Sequence, residues 1–411
     1  MHLHFQGKAI KLLEITALAG VVLLFYGFFF NRVANNLGSI LIGIYTLAKI
    51  NDNRKLFLQP WMLSFIFISV IPLLSDIIME GFEFYKHRGI MKLLLILYPA
   101  FFFCLKPDIQ VLQRFMLGFI ILMFFSSCFS LFYYFKDYDD MFITYKQSRV
   151  VRTLSLGDHI RISWATVVSC VMALYYIYNC SSGGKKNVAL WIYIVFQILF
   201  LHILGSKTGL IILYITAALF LIYRFNFVNK WVVVFLIFLT GLLPYMAYKT
   251  IPSFEQRVNF VKYDFEHYSK GLYREGLSDA IRFYSLKAGK AIINEHPWFG
   301  VGFSRLQNQT NEWFKKQMPQ ISKESYFLPS SQIVIYWAAG GVFCLLVFLF
   351  HLLYPFFEVK LRGNKWFMMF FIPAALSFTY ETHLEGQLPL FFYGFIVSFF
   401  WYLGLKPKNL K

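Results

Sequence analysis

The chain has 411 residues, of which 58% are hydrophobic, 21% aromatic and only 15% charged. A soluble domain is nearer half apolar and a quarter charged; here the excess falls in solid blocks of about twenty residues, which excludes an ordinary soluble enzyme and an alternating outer-membrane barrel. The formal charge of +18 would suggest nucleic acid in a soluble protein, but no soluble basic module exists to bind it, and Lys and Arg on cytoplasmic loops account for the excess.

The expectation is an all-α polytopic integral membrane protein. The opening MHLHFQGK reads partly as a tag or protease-site remnant and carries no functional weight. Apolar spans are predicted near 12–30, 36–49, 59–76, 90–105, 110–135, 159–180, 188–204, 208–224, 231–249, 332–354, 366–380 and 386–404, or about twelve transmembrane helices. Residues 1–249 then hold helices one to nine, 250–331 a large loop domain, and 332–411 the last three helices and a cytoplasmic tail. Cys104, Cys128, Cys170, Cys180 and Cys344 sit in or beside spans without metal-type spacing, so no disulfide framework is expected.

Loop charge sets orientation. With both termini cytoplasmic, the inside loops hold Lys8 and Lys11, Arg54 and Lys55, Lys106, Lys185 and Lys186, Arg224 and Lys230, Lys360, Arg362 and Lys365, and the tail lysines Lys406, Lys408 and Lys411. Asp76, Glu80, Glu83, Asp137, Asp139 and Asp140 fall outside. Two connections are long, about 136–158 and 250–331, and both lie outside; long loops in compact proteins are usually functional. The second contains DAIRFYSLKAGKAIINEHPWFGVGFSRL, read as a helix with Ser278 as N-cap, stopped by Pro297 and followed by a turn at Gly300 and Gly302. Phe283, Tyr284, Leu286, Ile292 and Ile293 are its expected packing face on the membrane domain.

Basic residues on the outer side run against the positive-inside trend: Arg149, Arg152, Arg161, Lys207, Arg282, Lys287 and Lys290. Arg161 and Lys207 lie at membrane depth, where an ionisable group is a functional candidate by default. Lys287 and Lys290 read as solvated helix surface. Arginine binds phosphate oxygens in a bidentate fork and lysine as a point charge. Ser206 and Thr208 add hydroxyls at a helix start, where the dipole also favours an anion. The cluster therefore suits a lipid-linked diphosphate at the outer leaflet. In YETHLEGQLP, the residues Glu381, His383, Glu385 and Gln387 lie between the last two spans, and the two glutamates are either a general base or structural partners of the arginines. His159 and His296 are the other titratable candidates; beside its proline, His296 reads as a capping or packing residue. DYDD at 137–140 could bind a divalent cation, but a solvated loop is the favoured reading, as nothing fixes its geometry.

These motifs, in this order, resemble the O-antigen ligase and O-antigen polymerase superfamily of bacterial envelopes. SKTGL is similar to the family's S-R-T-G-type motif. DAIRFYSLKAGKAIINEHPWFGVGF is similar to its loop motif, an arginine followed by a helix and H-P-x-x-G-x-G. SSQIVIYWAAGGVFCLLVF resembles the segment entering the next span, and the resemblance covers roughly residues 145–400. It implies a GT-C-like, metal-independent glycosyltransferase of the bacterial inner membrane, needing no cofactor, with its active site on the periplasmic side. The implied donor is a glycan on undecaprenyl diphosphate; ligases pass it to the lipid A core, and polymerases to another lipid-linked repeat. Lys207 stands where the family usually has arginine, and Arg282 matches the loop arginine; both would neutralise the diphosphate leaving group. Arg152, Arg161, Ser206 and Thr208 complete the expected donor site.

One departure matters. The family's ligases often carry a histidine before the span that follows the loop, proposed to activate the acceptor hydroxyl. Here that place holds LPSSQ, and neither Ser330, Ser331 nor Gln332 is a base near neutral pH. Either His159, His383, Glu381 or Glu385 takes the role, or transfer relies on leaving-group stabilisation; Ser331 and Gln332 would orient sugar hydroxyls. The expected function is an O-antigen ligase, with a polymerase using the same donor as the alternative. A lipid-linked sugar transporter is more remote, because no repeated halves are visible; a non-catalytic scaffold is the third rival.

Overall fold

The computed structural model describes residues 2–80, 89–138, 151–155, 158–180, 184–225, 230–273 and 277–405. Among these residues every regular element is helical. In chain order the α-helices are α1 (His2–Phe29), α2 (Arg32–Lys49), α3 (Pro60–Glu80), α4 (Gly89–Lys92), α5 (Leu94–Leu105), α6 (Ile109–Lys136), α7 (His159–Asn179), α8 (Lys185–Leu204), α9 (Lys207–Phe225) and α10 (Lys230–Thr250). There follow α11 (Pro252–Ser269), α12 (Ser278–Glu295), α13 (Leu306–Gln317), α14 (Gln332–Phe357), α15 (Val359–Arg362), α16 (Lys365–Ser377) and α17 (Gln387–Leu405). Eight of the described helices are long and apolar enough to cross a membrane: α1, α3, α6, α7, α8, α9, α14 and α17. Two shorter apolar stretches, Gly89–Leu105 and Lys365–Ser377, coincide with the spans expected near 90–105 and 366–380. Arg149, Asp139, Asp140, Glu83 and the tail lysines lie outside the described residues.

Burial separates the centre of the bundle from its rim. In α17 and α7, 83% and 72% of the apolar window is buried, against 44% or less in the other six, so these two helices form the core. The sequence of α17, QLPLFFYGFIVSFFWYLGL, is apolar all round, as an inner helix must be. Its rings meet neighbours edge to face, with Trp401 4.6 Å from Trp61 and Phe395 5.1 Å from Phe102. A polar group inside lipid must be satisfied within the protein. His351 of α14 obeys that rule, with its Nδ1 2.8 Å from Ser64 Oγ and its Nε2 2.7 Å from Tyr393 Oη.

The long connection between α10 and α14 carries α11, α12 and α13, which share a cluster of their own around Leu277, Ile281, Tyr284, Phe314 and Ile321. The expected packing face of α12 is divided. Ile292 and Ile293 join the main core, whereas Tyr284 faces the connection's own cluster and Phe283 stacks on Tyr268. The helix ends at Glu295 before Pro297, as its sequence predicts. Its N-cap position falls on Leu277, not on Ser278. The amides of Asp279 and Ala280 donate instead to the buried Asp264 of α11, at 2.6 and 3.0 Å. A carboxylate at a helix N-terminus satisfies the free N–H groups and opposes the dipole, whichever part of the chain supplies it.

The turn at 297–302 has a definite partner. Helix α14 is broken at Gly341, whose φ of 69° and ψ of −169° are open to glycine and strained for other residues. The break frees backbone groups at membrane depth, and the turn takes them up. Val301 and Gly302 donate to the carbonyls of Ala338 and Ala339, at 3.1 and 2.8 Å, and Val342 donates to Pro297 at 3.1 Å. The approach is close: a Cβ on Gly341 would lie 2.0 Å from the Trp298 carbonyl oxygen, and one on Gly300, itself at φ 67°, 2.3 Å from Ala339. Glycines in H-P-x-x-G-x-G and in AAGG are therefore two halves of one contact.

Gly341→Ala is expected to destabilise the protein by at least about 2 kcal/mol, from the strained backbone and the clash together. Thermal unfolding in detergent checks this; a midpoint equal to that of the wild type would show that the break tolerates a side chain.

Candidate functional site

Three helix starts and one connection meet at one end of the bundle. The helix starts are those of α7, α9 and α12, and the connection, residues 378–386, joins α16 to α17. Gly205, at φ 63°, ends α8 in the left-handed conformation and reverses the chain, so Ser206 and Lys207 open α9. Gly209 lets α9 lie against α7, because a Cβ there would sit 2.3 Å from the Ser163 Cβ. Across that contact Ser206 Oγ is 3.0 Å from Ser163 Oγ.

Glu381 is the hub. Its Oε1 accepts from Arg282 of α12 at 2.7 Å and from Thr208 of α9 at 2.8 Å. Burial alone would lift its carboxyl, but the charge and hydrogen bond of Arg282, helped by the Thr208 hydrogen bond, hold it below the usual carboxylate range. Beside it, Lys207 pairs with Asp279 in the first turn of α12. The buried Arg257 of α11 is close enough to Lys207 for their charges to interact. Arg161 donates through Nη1 to Asp158 at 3.3 Å and through Nη2 to the Thr382 carbonyl at 3.3 Å. Arg282 and Lys207 keep 34% and 29% of their side chains exposed, against 6% for Glu381. Both cations can therefore turn toward a ligand, while the carboxylate is approached only through them.

Glu385 belongs to a second, deeper group. It pairs with Lys92 of α4, and its Oε1 also accepts from Gln332 Nε2 at 2.7 Å. Lys92 is almost wholly buried; its ammonium lies 4.9 Å from the Phe303 ring centroid and 5.0 Å from that of Tyr336. Gln332 Oε1 accepts from the Leu384 amide at 2.9 Å, and Ser331 caps α14 by accepting from Val334 at 3.4 Å. Ser331 and Gln332 thus already serve the fold. Gln387 turns to Asn35 and Asn36 at the start of α2.

His383 is fully buried between the Trp164 and Phe378 rings, with Nε2 2.8 Å from Ser377 Oγ. Burial, with the positive charge of Arg161 behind it, pushes its pKa down to about 3, so the ring is neutral. His159 opens α7 and is half-buried. Arg152 is exposed, 4.8 Å over the Tyr133 ring, and among the described residues makes no hydrogen bond to the Glu381 group. Lys287 and Lys290 are exposed on α12, with Lys287 over Tyr268 and Tyr284. Three buried polar atoms around 380–383 have no hydrogen-bond partner among the described residues: Tyr380 Oη, His383 Nδ1 and Arg161 Nε. Such atoms are rare in folded proteins.

Sequence reasoning singled out the glutamates, Arg161, Lys207 and Arg282, but not their partners Asp158, Asp279, Asp264 and Lys92. Lys92 carried a signal, as a lysine inside an expected span. The two carboxylates that brace α12 carried none, since neither position is unusual for an acid.

Fold and site together define a polytopic helical membrane protein with a cationic cluster at one end of its bundle. Residues 192–349 match the family model described as O-antigen ligase. The matched stretch contains Lys207, Arg282 and the Gly341 break; Arg161 and the 381–385 segment lie outside it. No curated protein matches the chain.

The buried neutral His383 makes the fold acid-sensitive. Its pKa is lowered on folding, so the unfolded chain binds the proton more tightly, and stability falls as the pH drops below about 6.5 toward 3. The slope attributable to this residue approaches about 1.4 kcal/mol per pH unit. His383→Gln is expected to flatten the fall in thermal midpoint between pH 7 and pH 5; an unchanged slope would assign the acid sensitivity elsewhere.

Proposed function

We propose that this protein is an O-antigen ligase working at the periplasmic face of the bacterial inner membrane, transferring a glycan from undecaprenyl diphosphate to the lipid A-core oligosaccharide. The observation that carries this reading is that two accessible cations, Lys207 of α9 and Arg282 of α12, stand at the same end of the bundle, each held by one carboxylate and both within the stretch that matches the family model. Each is neutralised by one carboxylate, and a diphosphate offers more negative charge than either carboxylate.

In the reaction, the acceptor hydroxyl oxygen bonds to the anomeric carbon while the bond from that carbon to the phosphate oxygen breaks. Negative charge develops on the departing undecaprenyl diphosphate, where Arg282 and Lys207 stabilise it, with Arg161 alongside. The hydroxyl proton passes to Glu381. Arg282 links the two events. While it bonds Glu381, the carboxylate is a weak base; once drawn to the diphosphate, it releases Glu381 to accept a proton. His383 is a less suitable base, because its ring is enclosed and disfavours a charge.

The alternative is a polymerase with the same donor and a lipid-linked repeat as acceptor. Its specific support is that Ser331 and Gln332, where the family's ligases often carry histidine, are occupied in capping α14 and bracing Glu385.

Arg282→Ala is expected to lower transfer by about 100- to 1,000-fold, as for loss of one donor to a developing oxyanion. Lipopolysaccharide gels from cells carrying this variant in place of the wild type, at matched membrane levels, check it. Bare lipid A core with long glycan retained on undecaprenyl diphosphate supports the ligase; core bearing a single repeat, with only single repeats on the carrier, supports the polymerase. A normal ladder would remove Arg282 from the site.

A further inference from the structure

Two of the helices that carry the cationic cluster, α7 and α9, meet α16 at their opposite ends. Helix α7 (His159–Asn179) carries Arg161 at one end and Tyr178 and Asn179 at the other, α9 (Lys207–Phe225) carries Lys207 and Arg224 at its two ends, and α16 runs from Lys365 to Ser377, just before Glu381. At 19 residues, α9 is about 28 Å long, roughly the hydrocarbon thickness of a bilayer. Where the three helices meet at the far end, they enclose a cavity of about 280 Å³. A water molecule occupies about 30 Å³ of liquid, so this space is on the scale of a small organic group.

The lining has a definite chemistry. Among the described residues it contains two cations, Arg224 and Lys365, and no acid. Around them stand Tyr178, Phe220, Tyr223 and Trp366. Arg224 lies 5.9 Å from the Tyr178 ring centroid. Lys365 donates to the Tyr223 carbonyl at 3.2 Å, which leaves its ammonium further N–H donors. Both cations are exposed at the mouth, while Met369 behind them is buried. Tyrosine and tryptophan are the residues of the bilayer interface, and two cations between transmembrane helices at that depth match a phosphate group with its glycerol backbone.

We propose that this cavity binds the phosphodiester headgroup of an anionic membrane lipid, which ties together α7, α9 and α16 at the end opposite Glu381. The lipid lies in the leaflet that the loop charges assign to the cytoplasm. It takes no part in transfer, and the inference is independent of which glycan the protein handles.

The test uses the full chain, delipidated in detergent and reconstituted into phosphatidylcholine nanodiscs with or without phosphatidylglycerol. Bound lipid is measured by native mass spectrometry, and the thermal midpoint is read in parallel. Wild type is expected to retain phosphatidylglycerol in preference to phosphatidylcholine and to melt at higher temperature with it. Arg224→Ala/Lys365→Ala is expected to lose that enrichment by roughly tenfold or more. Arg224→Lys/Lys365→Arg, which keeps both charges, is expected to retain it, and this distinguishes loss of the site from loss of the fold. Lys360→Ala/Arg362→Ala removes two exposed cations from the same end but outside the cavity. An equal loss in that control would reduce the effect to surface charge and overturn the proposal. Equal retention of both lipids by wild type would also overturn it, as would equal protection by inorganic phosphate in detergent.

Discussion

The candidate site hangs on one carboxylate that two separate parts of the chain must share. Glu381 sits in the connection before the last helix, and both of its partners come from far away in sequence, Thr208 from α9 and Arg282 from the long connection. A buried carboxylate is costly unless it is bonded and compensated by charge. Forming it therefore requires α9, α12 and the 378–386 segment to be together. Removing one partner does more than delete a contact, because the remaining charge is left in a poor solvent. The cationic end of the bundle is thus assembled as a unit.

Around that unit the structure repeats the same solution at increasing depth. Lys207 is compensated by Asp279, and the start of α12 by Asp264. Deeper, Lys92 is compensated by Glu385, with Gln332 and two aromatic rings completing its surroundings. His351, inside the bundle, is satisfied by Ser64 and Tyr393 without any charge. The cations of the outer pairs, Lys207 and Arg282, keep appreciable exposure, whereas Lys92 of the inner pair is almost wholly buried.

Much of this was legible in the sequence, for physical reasons. Solid apolar runs have one stable outcome in lipid, so eight of the twelve expected spans fall on described helices long and apolar enough to cross a membrane and two more on shorter apolar helices, while those expected near 36–49 and 231–249 are not among them. Arg161, Lys207 and Arg282 stood out because a charge at the membrane needs a reason, and all three lie at one end of the bundle. Two kinds of feature were hidden. Pairings such as Lys92 with Glu385 join residues 293 positions apart, and no local pattern encodes them. The cap of α12 looked local, with Ser278 well placed, but an acid from the preceding helix took the role. The break in α14 was hidden as well, since SSQIVIYWAAGGVFCLLVF reads as one continuous span and only the paired glycines mark the bend. The single face expected for α12 failed because the helix is sandwiched, one side against its own cluster and the other against the bundle.

The contact between the 297–302 turn and the Gly341 break also bears on the order of synthesis. A broken helix exposes carbonyls and amides that lipid cannot satisfy. Here the partner that satisfies them is encoded first: the turn leaves the ribosome some forty residues before the break it completes. When α14 enters the membrane, the groups that mend its break are already made. The reverse order would leave the helix to insert unbroken or with its polar backbone bare. The chain's linear sequence therefore acts as a schedule, with the connection serving as a template on which the later helix acquires its bend.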